Sequence, residues 1–436
     1  MATESQVYDL VVVSAYGRGD WTAMELANRG WKVVLADVTD QLGQLTPEDY
    51  EGPFGLLEAQ DLVASQRARL ADEGELEAVT QGFSMWTADG PLEFRSDLTP
   101  FLMRAREVPE SVEAYLRHAG AKSSESDRER RAVARLAYDR NWLAQFAHSI
   151  HSPIHRQNHV AAESGTASPL FSAFSIRQTT EQGPLRGLKH CQTVGVNVRQ
   201  KSRVRDVRLS GRIADAVEFS DERSGAERAR SVMWCLSPVE TKTVSENLFN
   251  LLFPNGAPAP HWSWERIRFR FNDAEIDSSL PLWTVLIHDR DLSWTRANMV
   301  VLRRRKGSEF LDAWVKVPAW MRSDRSAFEG IRREIESILR ERMSGELVPV
   351  LSDFAPFMWP VYDESDLNSF KPVKTSNLFF SSAEFWPGLD WLGRFKHEQK
   401  VVAQLEKLKA QWDAAEVKAA AKEAKAAAKI GKENSL

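Results

Sequence analysis

The stretch YDLVVVSAYGRGDWTAMELANRGWKVVLAD, residues 8–37, limits what this chain can become more than any other part of it. Tyr8 to Val13 reads as an apolar run, the pattern of a strand buried on both faces of a parallel sheet. A short helix is expected after Trp21, with Leu26 and the neighbouring alanines facing inward and Gly30 closing it. A second strand, Trp31 to Ala36, then ends at Asp37. Strand, loop, helix, strand and acid make the βαβ unit that opens a doubly wound sheet, and its loop should read G-x-G-x-x-G. The six positions here are Ser14, Ala15, Tyr16, Gly17, Arg18 and Gly19. Only the third glycine stands.

Each glycine of such a loop has its own task. The first allows the tight turn, the second lets the backbone approach a pyrophosphate, and the third lets helix and strand pack closely. The phosphates lie against free N–H groups at the helix amino terminus. Serine at 14 is tolerable where φ is negative and costly where it is positive. The Tyr16 ring must either leave the phosphate channel or fill it. The chain thus keeps the glycine that serves the fold and lacks those that serve a ligand. A second register, with Gly17 and Gly19 as first and second glycines and Thr22 as third, shortens the distance to Asp37 and trims the helix. Asp37 itself has two readings, a ribose hydroxyl partner or a cap of the next turn through Thr39.

At 436 residues the chain needs one large or two interleaved domains. A net charge of −4 gives no overall pull toward nucleic acid or anionic lipid. Two cysteines, Cys191 and Cys235, cannot make a disulfide framework and sit beside apolar neighbours, so they are expected to pack, in a reducing cytoplasm. No signal peptide and no apolar run long enough for a spanning helix is visible. Residues 196–238 read as short strands parted by Ser210-Gly211 and Ser224-Gly225 turns, and 262–318 as longer antiparallel strands. FSMWTADGPLEF reads as a hairpin, SAFEGIRREIESILRERM as a helix, and the Ala/Lys/Glu-rich end from Ala414 as a solvated helical tail. His148, His151, His155 and His159 have helical spacing for a metal site, but Pro153 interrupts the helix, so a loop is expected and no metal. The basic run Val301 to Gly307 and the Lys418, Lys422, Lys425 and Lys429 stripe are read as solvated faces.

Three segments together resemble the flavin (FAD)-dependent amine oxidase and phytoene desaturase superfamily: residues 8–44, the pair RVRDVRLSGRIADAVEF and ARSVMWCLSPVET, and SNLFFSSAEFWPGLDWLGRFKHEQKVVAQL. In this resemblance Ser14, Tyr16 and Gly19 fall on the three loop glycines, Asp37 on the ribose acid, and Gly43 with Gln44 on a following glycine pair. A backbone group near Val204 would meet the adenine. In the final motif Ser382 takes the place of a glycine and Ala383 that of a carboxylate that orders the flavin. Alanine cannot accept a hydrogen bond there.

The resemblance implies an α/β fold with two lobes, a Rossmann-type FAD/NAD(P)-binding domain interleaved with a second α+β substrate-type domain. The expected nucleotide lobe comprises 1–60, 190–255 and 370–412, the second lobe 61–189 and 256–369, and the helical tail 413–436. The cofactor-binding positions are Ser14, Ala15, Tyr16, Gly17, Gly19, Asp37, Val204, Ser382 and Ala383, several of them degraded. Loss at two separate ligand-facing segments, with their apolar frames intact, leads to the expectation of a pseudoenzyme acting as a binding or scaffold protein. It is expected to hold no cofactor, or FAD if any, and to have a protein partner. The alternative is an active FAD-dependent oxidoreductase that oxidises a C–N or C–C bond through an altered loop. A small apolar ligand between the lobes is a third reading; no nucleic acid partner is expected, and the sequence assigns no catalytic residue.

Overall fold

Leu10–Ser14 is buried at every position, as is Val33–Asp37, because each strand has neighbours on both sides and packed layers on both faces. In a computed structural model these two strands are the centre of a five-stranded parallel sheet. The structure describes residues 7–42, 57–58, 63–73, 76–78, 84–87, 90–93, 173–176, 183–220, 225–259, 262–270, 283–287, 299–304, 310–318, 321, 324–342, 351–361, 370–382, 384–385 and 390–433. The four histidines between 148 and 159, Gly43, Gln44 and Ala383 lie outside them.

The chain begins with β1 (Val7–Tyr8), β2 (Leu10–Ser14), α1 (Asp20–Asn28), β3 (Val33–Asp37) and α2 (Thr39–Leu42). Next come β4 (Leu57–Glu58), α3 (Ala64–Glu73), β5 (Leu76–Ala78), β6 (Ser84–Thr87), β7 (Gly90–Glu93) and β8 (Ala173–Ile176). The middle holds α4 (Gly183–Thr193), β9 (Asn197–Arg199), β10 (Val204–Ser210), β11 (Ile213–Phe219), β12 (Ala226–Ala229), β13 (Val232–Trp234), α5 (Pro238–Val244) and α6 (Glu246–Leu252). The last part holds β14 (Trp262–Arg270), β15 (Trp283–Ile287), β16 (Met299–Arg304), β17 (Phe310–Pro318), α7 (Arg325–Arg342), β18 (Leu351–Val361), β19 (Leu378–Phe380) and α8 (Asp390–Glu433).

The parallel sheet runs β19-β13-β2-β3-β9, so the strand order reverses at β2. In open parallel sheets ligands bind outside the carboxyl ends of the strands at such a point. One face of the sheet packs Leu10, Val12, Val33 and Leu35 against Leu26 of α1, Leu188 and Cys191 of α4 and Phe395 and Val402 of α8. The other face packs Val11, Val13, Val34 and Ala36 against the β10–β12 strands and α5–α6. A seven-stranded sheet, β18-β14-β17-β16-β15-β6-β7, carries a second core in which Ile267, Leu302, Ala313 and Val315 meet Ile331, Ile335 and Leu339 of α7. The β6–β7 hairpin and the antiparallel β14–β17 strands match the sequence reading. Residues 196–238, which look alike in sequence, divide between sheets: β9 and β13 join the parallel sheet, while β10–β12 pair with β1.

Candidate functional site

The site lies where β2 hands over to α1. β2 ends at Ser14, and Ala15 to Gly19 turn the chain into the helix. Tyr16, Gly17 and Gly19 all have positive φ, 54°, 71° and 82°. The backbone therefore keeps the left-handed conformation that glycine favours, although a tyrosine stands at the second glycine position. The Tyr16 N–H donates to Thr39 Oγ1 at 2.8 Å, and its ring is buried in the core on the α5–α6 side of the sheet. Arg18 lies over that ring, 5.6 Å from its centroid, and donates to Ala15 O and to Glu240 Oε1 at 2.6 Å. Glu240 is held in turn. It is the third residue of a capping box at the start of α5, where its carboxylate accepts from the Ser237 N–H. Arg18 and Glu240 thus form a clasp from the loop to α5, over the carboxyl end of the sheet.

Gly19 brings α1 against the sheet. A Cβ there would stand 2.7 Å from Cys235 Sγ and 2.9 Å from Val12 Cγ1. Both cysteines are free and buried, and burial pushes both thiols well above their usual range, so they pack rather than react.

The amino terminus of α1 is surrounded by charge. Asp20 pairs with Arg69 of α3 and accepts from Arg394 Nη2 of α8 at 2.9 Å. Arg394 also donates to Gly17 O at 2.9 Å and to Glu398 Oε1 at 2.8 Å. Glu398 Oε2 accepts from the Thr22 hydroxyl at 2.9 Å and from the Thr22 N–H at 3.3 Å, while the Trp21 N–H donates to Asp20 Oδ1. The side chains of Asp20 and Glu398 have no exposed surface. Gly187 of α4 makes room for this cluster, since a Cβ there would overlap both Arg69 and Asp20.

Asp37 sits across from Ser14, paired with it in the sheet register. Its Oδ1 accepts from the Thr39 N–H at 3.1 Å, which is the turn cap. Its Oδ2 and the Ser14 Oγ are both buried without a hydrogen-bond partner. Buried polar atoms are nearly always satisfied, so two orphans on adjacent strand ends mark a place for an outside group. Burial pushes the Asp37 carboxyl above its ordinary value. A raised acid gives its full stability below the unfolded pKa and loses it as pH rises through the folded one. Asp37→Asn removes that loss. Its Tm should rise relative to the parent as pH rises above the ordinary carboxylate range; a gap that stays constant with pH contradicts this.

Other family positions are occupied by the chain. The Val204 N–H donates to Gln41 Oε1 at 3.2 Å. Ser382 Oγ donates to Glu384, which is buried beside it. Burial pushes the His397 imidazole below its ordinary value, and its Nε2 lies 2.8 Å from Phe380 O. Sequence reasoning missed Asp20, Arg69, Glu240, Arg394 and Glu398. An aspartate directly after Gly19, where an anion would lie, was the one local signal.

No protein-family model matches the chain, and no curated protein matches it. Solved structures do. Wild-type putrescine oxidase bound to putrescine superposes with a TM-score of 0.57 at 13% identity, over 92% of this chain and 99% of that one. Cyclohexylamine oxidase from Brevibacterium oxydans IH-35A gives 0.53 at 14% identity, over 93% and 100%. A putative protoporphyrinogen oxidase from Exiguobacterium sp. 255-15 gives 0.53 at 12%, over 94% and 100%. The chain shares the fold of these oxidases.

That finding corrects one expectation. Degraded loop positions suggested a chain with no cofactor, yet the structures sharing the fold are those of FAD-binding enzymes, so the comparisons point to FAD. The substitutions at Ser14, Tyr16 and Ala383 were too slender a basis, because a large ligand surface survives the loss of single contacts. The residues present fit this cofactor unevenly. Asp37 Oδ2 and Ser14 Oγ suit ribose hydroxyls, whereas the helix terminus that would face the diphosphate already holds Asp20 and Glu398. Among the described residues no cluster could hold a metal ion and no helix is long and apolar enough to cross a membrane.

Proposed function

We propose that the protein is a non-oxidising member of this fold, a binding or scaffold protein that presents the nucleotide lobe to a protein partner. The observation that carries this reading is the filling of the loop and the α1 terminus by the chain's own side chains: the Arg18–Glu240 clasp over Tyr16, and the Asp20 and Glu398 carboxylates. Asp37 Oδ2 and Ser14 Oγ would hold FAD at its ribose. A ligand fixed at one end leaves the other end unoriented, and catalysis needs reacting atoms held about 3–3.5 Å apart.

The structural neighbours supply probes. The protein is mixed with FAD and either putrescine or cyclohexylamine without oxygen, and the flavin absorbance is followed. The expected result is an oxidised flavin spectrum that persists; stoichiometric bleaching by either amine contradicts the reading. A second reading, an active FAD-dependent oxidoreductase acting on a C–N or C–C bond, is favoured by the partnerless Asp37 Oδ2 and Ser14 Oγ. In it the Arg18–Glu240 clasp would have to open for the loop to hold FAD.

A further inference from the structure

An anion site at a helix amino terminus works because the first N–H groups lack partners and the helix dipole favours negative charge. Around α1 that demand is met from within. The Trp21 N–H goes to Asp20 and the Thr22 N–H to Glu398, while the Ala23 N–H closes the first helical turn onto Gly19 O. Two guanidiniums, Arg69 and Arg394, balance the two carboxylates, and all four side chains are at most 4% exposed. An incoming diphosphate would find these N–H groups taken and both guanidiniums already paired with carboxylates.

We infer that Asp20 and the head of α8, through Glu398 and Arg394, act as an internal stand-in for a diphosphate at the α1 terminus. An outside diphosphate gains this position only when a carboxylate yields. Three features hold the stand-in in place. Arg394 binds Asp20, Glu398 and the Gly17 carbonyl at once, so it ties the loop to the helix. Gln66 and Gln399 hydrogen-bond beside it, and Gln66 also donates to Phe395 O, which fixes the first turns of α8 against α3. The missing side chain at Gly187 leaves the space that the Asp20–Arg69 pair fills. The inference concerns the helix terminus alone and stands whether or not the protein oxidises anything.

Inorganic pyrophosphate is the probe, and the thermal midpoint is the readout. Glu398→Gln keeps an acceptor for Thr22 and removes one charge; Asp20→Asn does the same on the other side, so either variant serves if the other fails to fold. Millimolar pyrophosphate is expected to leave the parent's Tm unchanged and to raise that of the variant by about 1–2 °C. An equal rise in the parent overturns the inference, because the terminus then accepts the anion without displacement. A folded variant that gives no rise overturns it as well, because the terminus is then no anion cradle.

Discussion

Gly19→Ala is expected to lower stability by about 2–5 kcal/mol. A left-handed backbone costs an L-residue about 1–2 kcal/mol, and forcing an extra carbon into a packed core costs about 1–3 kcal/mol more. Both terms apply, since Gly19 has φ 82° and its Cβ would overlap Cys235 Sγ and Val12 Cγ1. Neither neighbour can retreat easily, because Val12 and Cys235 are fully buried in the layer between sheet and α1. Against a total stability of about 5–15 kcal/mol the loss is large. The urea midpoint of Gly19→Ala against the parent measures it. A shift corresponding to less than about 0.5 kcal/mol, the scale of an innocuous surface change, would show that α1 is not held where the structure places it.

Arg394→Met should be comparably severe, about 3–5 kcal/mol, the usual effect of removing one partner from a buried ion pair. Asp20 keeps Arg69, but Glu398 loses its guanidinium, and the Gly17 carbonyl loses a donor. The double change Arg394→Met with Glu398→Leu should recover part of the loss. An apolar pair in place of a buried ion pair is often near neutral, whereas a lone buried carboxylate is not. Thermal or urea unfolding of the parent, the single and the double variants forms the test. Full additivity of the two changes contradicts the pairing described here.

How much of this was legible beforehand follows from distance along the chain. The β2–α1–β3 unit is local, and its apolar strands, its third glycine and its terminal acid could be read directly, because strand burial and helix–strand packing leave a continuous pattern. The antiparallel β14–β17 strands and α7 were readable for the same reason. The α1 cluster was not. Asp20 and Arg394 are 374 positions apart, and an arginine and a glutamate four residues apart on a helix look like any solvated pair until that helix face proves to be buried. Tyr16 was readable as an obstacle, but its buried ring and the clasp of Arg18 onto Glu240 depend on α5, which arrives 222 residues later. Asp37 was read as either a turn cap or a ribose acid. Its two oxygens divide those roles, with Oδ1 capping through Thr39 and Oδ2 left without a partner.

In the proposed function this chain's own side chains fill the nucleotide site except at the ribose position. The measurement that tests it most directly is calorimetric titration of the purified protein with AMP and, separately, with FAD. If only the adenosine end is gripped, the rest of FAD adds little, and the two dissociation constants should agree to within about threefold, less than 1 kcal/mol. FAD binding tighter than AMP by about a hundredfold or more would show the diphosphate and flavin held as well, and would contradict the account.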